Sequence, residues 1–218
     1  MLTVSNKGLC VVFDEDLLRT NPVLEKVFLY ALISTLYRQE FRRVISLLSA
    51  GSVKYLKTWN SGADPDSDVI AVLNTTETTA GVANNRLVFG QPASRLRTLA
   101  LRATSGTGIA SSASVHPSAM APMFGVDAVL VSGHRFTVSP ASRTRIVPAS
   151  VFGFYAEDNG TPFDPTHLKR FVREYRPGEE LNIYRQKVSS KQVKLTVEMD
   201  SRIVCPMTDG LFEIQVSA

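Results

Sequence analysis

The densest run of apolar residues lies near the N-terminus, between Asn21 and Gly51. Residues 27–37 are apolar at nearly every position, so all sides of a helix here would suit burial, and the apolar residues after them recur at helical spacing. Asn21 can cap such a helix, Pro22 suits its first position, and Gly51 suits its end. We therefore predict one long helix over about residues 22–50, covered by sheets or by neighbouring subunits.

The rest of the chain is dominated by short runs of β-branched and aromatic residues, most of them bounded by turn residues. Two strands around a turn at residues 6–8 are predicted before the long helix. The middle third is predicted to form strands over residues 69–74, 86–90, 95–103, 126–132, 134–139, 144–148 and 150–155. Between them lies a segment rich in Gly, Ser, Ala and Thr, residues 104–122, whose length is typical of functional or disordered loops.

The last third combines a helical pattern with alternating strands. A helix over about residues 165–176 is predicted, because apolar residues recur at helical spacing between a capping residue, Asp164, and a stop signal, Pro177-Gly178. A hairpin over residues 181–188 and 191–199 follows, and then two strands over residues 202–206 and 210–218. In the second hairpin strand, apolar residues alternate with polar ones, which predicts one buried face: Val193, Leu195, Val197 and Met199.

Together these elements predict an α+β protein, mainly antiparallel β, with one long N-terminal helix and one shorter C-terminal helix. We divide the chain into an N-terminal segment of strands and long helix (1–68), a β-rich segment (69–160) and a helix-hairpin-strand module (161–218). A chain of 218 residues is long enough for these segments to be separate domains or parts of one domain, and both arrangements stay open.

The composition is that of an ordinary globular protein, with 44% hydrophobic and 20% charged residues. Two cysteines, Cys10 and Cys205, are too few for a disulfide framework or a metal constellation. The N-terminus has no basic region followed by an apolar one, so no signal peptide is predicted. The unbroken apolar run of the long helix is about 11 residues, which is short of the ~20 that a membrane span needs. We expect a soluble protein without a membrane span.

The cations in the middle of the chain are all arginines, and residues 78–156 contain a single acid, Asp127. Arginine forms forked bonds to carboxylate or phosphate and tolerates partly buried interfaces. We predict that the following arginines bind a partner or an anion: Arg86, Arg95, Arg97, Arg102, Arg135, Arg143 and Arg145. Acids of another copy, such as Asp14, Glu15 and Asp16, would fit them. The phosphates of nucleic acid are the alternative, although no RNP-like signature is present.

No motif for catalysis or cofactor binding stands out. Residues 106–111 contain a loose G-x-G-x-x-S, but the residues after it lack the helix pattern that a pyrophosphate site requires. There is no P-loop and no G-x-S-x-G elbow, and the three histidines, His116, His134 and His167, are scattered. We predict that the protein is not an enzyme and has no cofactor, no metal and no small-molecule substrate.

The C-terminal third carries the only resemblance to a known family. Arg176-Pro177-Gly178 ends the predicted helix, and a strand pair with Leu181, Ile183, Val193, Leu195 and Val197 follows. Residues 164–199 thereby resemble the C-terminal module of baseplate wedge proteins in contractile phage tails, in which a helix ends in an R-P-x-G turn before a strand pair. The turn here is displaced by one from that spacing, and the resemblance covers 36 of the 218 residues. It implies a phage tail or other virion part without catalytic residues.

These observations favour a structural subunit of a viral or phage particle, in the tail, the baseplate or the capsid. Its partners would be copies of itself and other particle proteins, with nucleic acid as a further candidate. The long helix would bury apolar surface, residues 104–122 would engage neighbours, and the arginines would set the register by ion pairing. We expect it in the virion, after synthesis in the host cytoplasm. The alternatives are a nucleic-acid-binding accessory protein that uses the arginines and, third, a small enzyme with an unrecognised site.

Overall fold

The computed structural model describes residues 4–103, 116–139, 141–158 and 164–218. It confirms the predicted α+β class, with 37% helix, 36% strand and mostly antiparallel sheets. The helices are α1 (Glu15–Thr20), α2 (Pro22–Gly51), α3 (Pro65–Ala80), α4 (Gln91–Ala103) and α5 (Pro117–Phe124). The strands are β1 (Ser5–Asp14), β2 (Val53–Thr58), β3 (Arg86–Gly90), β4 (Ala128–Ser132), β5 (Arg135–Ser139), β6 (Ser142–Arg145), β7 (Ser150–Phe154), β8 (Lys169–Val172), β9 (Asn182–Lys187), β10 (Gln192–Val204) and β11 (Phe212–Ser217).

The chain divides into two compact units, and each is built from two separate stretches of sequence. Unit 1 consists of the described residues of Met1–Arg43 and Arg170–Val204, and unit 2 of those of Val44–Lys169 and Cys205–Ala218. The boundaries do not follow the three consecutive segments of the prediction. Strand pairing between distant stretches is the cause, as where β1 lies antiparallel to β10 in unit 1.

The long helix predicted over residues 22–50 is present as α2. In unit 1 its buried side packs on the sheet, where Leu36 is 1% exposed and contacts Val197 and Met199 in one apolar cluster. The opposite side is not covered, since Val27 is 54% and Tyr30 is 71% exposed. Within this chain, therefore, one side of the run at residues 27–37 is buried rather than all sides.

The sheet of unit 1 has the strand order β1-β10-β8, with β9 also paired to β10. The alternation predicted for the second hairpin strand is confirmed, because the four apolar residues on its inner face are at most 4% exposed: Val193, Leu195, Val197 and Met199. The predicted turn at residues 6–8 is wrong. Strand β1 runs straight through it, with Lys7 opposite Met199 and Gly8 opposite Glu198, because β10 offers a continuous edge for pairing.

Unit 2 contains a five-stranded sheet with the order β2-β11-β7-β3-β4. One face of this sheet packs against apolar residues of α3, α4 and α5, and the shared core contains Trp59, Phe89 and Phe212, each at most 1% exposed. A separate hairpin, β5–β6, follows β4. The strands predicted over residues 86–90, 126–132, 134–139 and 150–155 are thus present with small shifts in their ends.

Two predicted strands, residues 69–74 and 95–103, are wrong because these residues lie in helices α3 and α4. The helix-start signal of α3 outweighs its β-branched residues, since Asp64 Oδ1 accepts a hydrogen bond from the Ser67 amide at 3.1 Å and Pro65 stands in the first turn. Gly81, with φ of 68°, ends α3 in the left-handed region. Buried residues in both helices recur at a helical period: Val69, Val72, Leu73 and Thr76 in α3, and Ala93, Arg97, Ala100 and Leu101 in α4.

The helix predicted over residues 165–176 is also wrong. Lys169–Val172 form strand β8 beside β10, and residues 176–179 form a turn with Gly178 at φ of 79°. The Arg173 amide donates to the Asp200 carbonyl at 3.0 Å, so the edge of the long strand β10 satisfies backbone groups that a helix would otherwise pair internally. A short apolar run is compatible with both the helical period and the strand period. Here pairing with the neighbouring strand β10 favours a strand.

The predicted loop over residues 104–122 is wrong at its C-terminal end. Pro117–Phe124 form α5, in which His116 Nδ1 accepts from the Ser118 amide and Gly125, with φ of 68°, ends the helix. Residues 104–115, which include the loose glycine motif, lie outside the described residues.

Candidate interaction surface

Two of the seven predicted arginines are paired to acids inside unit 2. Arg97 of α4 is 2% exposed, and its Nε and Nη2 donate to Asp66 Oδ1 and Oδ2 of α3 at 2.6 and 2.9 Å. Arg86 of β3 donates from Nη2 to Asp158 Oδ2 at 3.0 Å. Arg97 holds two helices of one chain together and is not open to a partner, whereas the Arg86 pair lies at the surface, where the Asp158 side chain is 87% exposed.

Three of the other arginines share one face of the β5–β6 hairpin. Arg135 lies directly opposite Arg145, and Arg143 lies opposite Thr137. Side chains alternate between the faces of a strand, so residues 135, 137, 143 and 145 are directed to the same face. Within the described part of the chain, none of these three guanidinium groups forms an ion pair with an acid.

Helix α4 adds a fourth arginine to this cluster. Arg145 Nη1 donates to Gln91 Oε1 at the start of α4, and Arg95 follows one turn later on the same side of the helix. Burial lowers the pKa of Arg145, and the positive charges of Arg135 and Arg95 lower it further. The four residues Arg95, Arg135, Arg143 and Arg145 are called the basic face below.

Arg102 extends the basic face along α4. It is exposed, lies seven residues after Arg95 and therefore projects from the same side of the helix. Leu99, which is 62% exposed, lies between them on that side. In the last turn of α4 the charge of Arg102 also suits the negative end of the helix dipole.

The acids that we predicted as partners in another copy are engaged within unit 1. Asp14 Oδ1 accepts from the Asp16 amide at 2.9 Å, as the cap of α1. Glu15 Oε2 lies 3.1 Å from Lys187 Nζ, and Asp16 Oδ1 lies 3.7 Å from Arg19 Nη2. Pairing them with the basic face of a second copy would require these contacts to be exchanged.

A second exposed surface lies on α2, and the sequence analysis missed it. Val23, Val27, Tyr30 and Tyr37 are spaced so that they follow one side of the helix, and they are 68%, 54%, 71% and 42% exposed. We call these four residues the outer face of α2. The helical spacing of these four residues is visible in the sequence. It does not stand out there, because the buried side of the same stretch is also apolar. Tyr37 also lines an open groove of unit 1 with Ile183, which is 44% exposed.

The groups considered for catalysis are not assembled into a site. Cys10 is exposed, His116 caps α5, and His167 is fully buried, with its Nδ1 accepting from the Tyr155 amide at 3.0 Å. Across the described ranges, no three His, Cys, Asp or Glu side chains are grouped so that they could hold a metal ion. None of the helices in those ranges is long and apolar enough to cross a membrane.

The sequence matches no protein-family model and no curated protein. Solved structures match its fold. A phage-related protein from Bordetella bronchiseptica RB50 aligns with 97% of this chain and 75% of its own chain, at 15% identity and a TM-score of 0.74. A structure from Gordonia phage Cozz covers 99% of this chain and 70% of its own at 13% identity, with a TM-score of 0.67. The capsid structure of cyanophage P-SCSP1u covers 99% and 73% at 8% identity, with a TM-score of 0.59.

The chain has the HK97-like fold. At identities of 8–15% the likeness extends to the fold alone. The match includes both units, since it covers nearly the whole chain. None of these three structures is named as a baseplate protein, and the helix on which the baseplate resemblance of residues 164–199 depends is absent from residues 165–176.

Proposed function

We propose that this chain is a structural subunit of a phage-type protein shell, located in the virion. The observation that supports this proposal most directly is the fold shared over 99% of the chain with a cyanophage capsid structure. The partners would be further copies of the chain and other particle proteins.

The outer face of α2 is suited to such a contact. Contiguous apolar surface on a soluble protein usually marks an interaction site, and Tyr and Val side chains lose unfavourable contact with water when another subunit covers them. Tyr30, at 71% exposed, lies near the middle of this face and would be its main contact. Aromatic side chains contribute disproportionately to the binding energy of protein interfaces.

Strand β2 offers a second contact in unit 2. It is the terminal strand of the five-stranded sheet and pairs only with β11 among the described strands. Leu56 is 79% exposed and Val53 is 56% exposed on it. An open strand edge with apolar side chains is a template for an added strand from another chain.

Placement in a tail or baseplate, which the resemblance of residues 164–199 implies, stays a prediction. A shell is favoured because two of the matched structures are named as a cyanophage capsid and as a virus-like particle from Pyrococcus furiosus, the latter at a TM-score of 0.56. Synthesis in the host cytoplasm also stays a prediction.

The test measures self-association of the full chain by light scattering over a range of concentrations, with electron microscopy of the products. We expect a mass well above that of one chain, and closed or sheet-like particles. The variant Tyr30→Glu places a charge in the outer face of α2 and should shift the chain to monomer.

Gln39→Glu is the matched control, since it adds the same charge at an exposed position of α2 outside the outer face. This control should assemble like the parent chain. A parent chain that stays monomeric at every concentration, also when mixed with other proteins of the same particle, would contradict the shell proposal. Equal loss of assembly in both variants would contradict the role of the outer face.

A further inference from the structure

The basic face is an unbalanced cluster of positive charge. Arg135 and Arg145 are direct cross-strand partners, and like charges opposite one another destabilise a strand pair. Elsewhere in unit 2, the structure pairs arginines with acids, as at Arg97 and Asp66. A hairpin that presents uncompensated arginines to solvent is therefore better explained by an anion that binds there than by the stability of the hairpin.

The residues around these arginines favour phosphate over an acidic protein surface. Thr137 exposes a hydroxyl group on the same face of the hairpin as the arginines, and Ser139 and Ser142 are exposed as a pair near the turn. Val138, which is 62% exposed, is the apolar exception on these strands. Arginine guanidinium and Ser or Thr hydroxyl groups are among the side-chain groups that contact phosphate and sugar in nucleic-acid complexes. The centres of protein interfaces are instead rich in aromatic residues, and no aromatic side chain is exposed on β5 or β6.

The spacing along α4 suits a repeating anion. Arg95 and Arg102 are seven residues apart on one side of the helix, which corresponds to about 10 Å at 1.5 Å per residue. Successive phosphates of one nucleic acid strand advance by about 3.4 Å along the duplex axis, so this distance spans about three of them. The hairpin arginines lie at the other end of the same surface, beside Gln91.

We propose that the basic face, extended by Arg102, binds the phosphate backbone of nucleic acid without reading its sequence. Each guanidinium would form forked hydrogen bonds to phosphate oxygens, and the Thr137 hydroxyl on the same face would add a single bond. Base recognition is not part of the proposal, because contacts to phosphates position a protein on nucleic acid and carry no sequence information. The inference rests on unit 2 alone and does not depend on shell assembly.

The experiment measures binding of a labelled 30-base-pair DNA duplex to the full chain by fluorescence anisotropy at several salt concentrations. For five phosphate contacts, the logarithm of the binding constant should fall with the logarithm of salt with a slope of about −4 to −5. The variant Arg95→Gln/Arg135→Gln/Arg145→Gln should reduce the magnitude of that slope by about three and should weaken binding at least tenfold at low salt. A duplex of unrelated sequence should bind equally well.

The control variant Arg19→Gln/Lys26→Gln/Arg38→Gln removes the same total charge from exposed positions of unit 1. It should keep the slope of the parent chain. An equal loss in both variants would overturn the proposal, because net charge alone would then explain binding. Displacement of the duplex by polyglutamate at equal charge concentration would also overturn it in favour of an acidic protein partner.

Light scattering on the same samples separates this inference from the shell proposal. We expect the basic-face variant to lose DNA binding while its self-association equals that of the parent chain. A chain that binds DNA through the basic face but never assembles would uphold this inference and contradict the shell proposal. A chain that assembles but shows no salt-dependent DNA binding would uphold the shell proposal and contradict this inference.

Discussion

The aromatic ring of Phe212 occupies the space beside Gly153, its direct partner across strands β11 and β7. A Cβ atom at residue 153 would lie 2.1 Å from Cε1 and 2.2 Å from Cζ of that ring. Phe212 is fully buried in the core of unit 2. Residue 153 must therefore be a glycine, because the Phe212 ring packs directly against its backbone.

Replacing this glycine should destabilise unit 2 strongly. In Gly153→Ala the added methyl group must displace a ring that is fully buried, and we expect a loss of about 3 kcal/mol in the free energy of unfolding. Urea denaturation followed by circular dichroism measures the change. Adding Phe212→Leu to Gly153→Ala should recover part of the loss, because the smaller side chain makes room for the methyl group.

Gly133→Ala provides the comparison. The nearest atoms to a Cβ there belong to the Gln91 side chain, at 3.4 Å and beyond, and we expect a change of about 0.5 kcal/mol or less. If Gly153→Ala reduced the free energy of unfolding no more than Gly133→Ala does, the close approach of Phe212 would not be the reason that residue 153 must be a glycine.

The buried pair between Arg97 and Asp66 gives a second prediction. Asp66→Asn would leave the guanidinium in the core without its counter-charge, and removing one partner of a buried pair costs about 3 kcal/mol. Asp158→Asn makes the same substitution in an exposed pair, since the Asp158 side chain is 87% exposed and contacts Arg86. That change should cost at most about 1 kcal/mol. Thermal and urea unfolding should show a larger loss of stability for Asp66→Asn than for Asp158→Asn. A larger loss for Asp158→Asn would show that burial does not make the Arg97–Asp66 pair important for stability.

The elements that were predicted correctly carry signals of their own. The long helix α2 has a proline at its start and a glycine at its end around a dense apolar run, and β3 is a short β-branched and aromatic run. Strand β10 shows apolar residues at every second position from Val193 to Met199, and all four are buried. In these places local pattern and final packing agree, so the residues alone were sufficient.

The errors occur where the same residues suit both a helix and a strand, and a cap or a neighbouring strand decides between them. Residues 69–74 are β-branched enough for a strand, yet Asp64 and Gly81 cap a helix around them. Residues 168–175 fit a helix, yet the edge of β10 recruits part of them into a strand. The first outcome follows from caps next to the segment, which the strand pattern of residues 69–74 alone does not contain. The second depends on a strand elsewhere in the chain, which periodicity in a short window cannot show.

The arginines show the same limit at the candidate site. Their excess over acids in residues 78–156 is visible in the sequence. Some of these arginines pair with acids inside the chain, and the packing of α3 on α4 determines this for Arg97, which pairs with Asp66. Others lie close together, because the register of β5 and β6 places Arg135 directly opposite Arg145. The sequence therefore identified the charge, and only the fold separates structural arginines from those that face solvent.

A third prediction concerns the buried carboxylate of Glu40 in unit 1, which is 4% exposed. Lys7 Nζ donates to it, while Arg43 and Arg170 lie 3.2 and 3.7 Å away. Burial alone would raise the pKa of Glu40, but the hydrogen bonds from Lys7 and Ser201 and the nearby positive charges outweigh burial and lower it. Glu40→Gln should therefore reduce the free energy of unfolding at pH 7 by about 3 kcal/mol.

The difference between the parent chain and Glu40→Gln should depend on pH with a defined sign. Because the pKa is lower in the folded state, the carboxylate stabilises the fold above its unfolded value of 4.5, and that contribution disappears as pH falls through the lower folded value. Urea titrations at pH 7, 5 and 3 measure it. Glu25→Gln, in an exposed pair with Arg185, is the control and should change little at any pH. A constant difference for Glu40→Gln down to pH 3 would contradict the lowered pKa.

The last prediction concerns His167, which is fully buried in unit 2 and accepts a hydrogen bond at Nδ1 from the Tyr155 amide. Burial lowers the pKa of His167, and the backbone and charge of Asp209 oppose this effect only in part. The folded chain therefore binds a proton at this site less readily than the unfolded chain does. Stability should be full above the unfolded value of 6.5 and should fall with decreasing pH, by at most about 1.4 kcal/mol per pH unit for one proton, until the folded value is passed.

His167→Asn isolates this contribution, because the asparagine carbonyl can still accept from the Tyr155 amide but the side chain does not titrate. The variant should show a smaller loss of melting temperature between pH 7 and pH 5 than the parent chain. His134→Asn makes the same substitution at an exposed position and should leave the pH dependence of the parent chain in place. If His167→Asn lost stability between pH 7 and pH 5 as steeply as the parent chain, the imidazole would not be the proton acceptor of unfolding in that range. The Glu40 contribution changes with pH only below its unfolded value of 4.5, so measurements between pH 7 and pH 5 report on His167 without a change from Glu40.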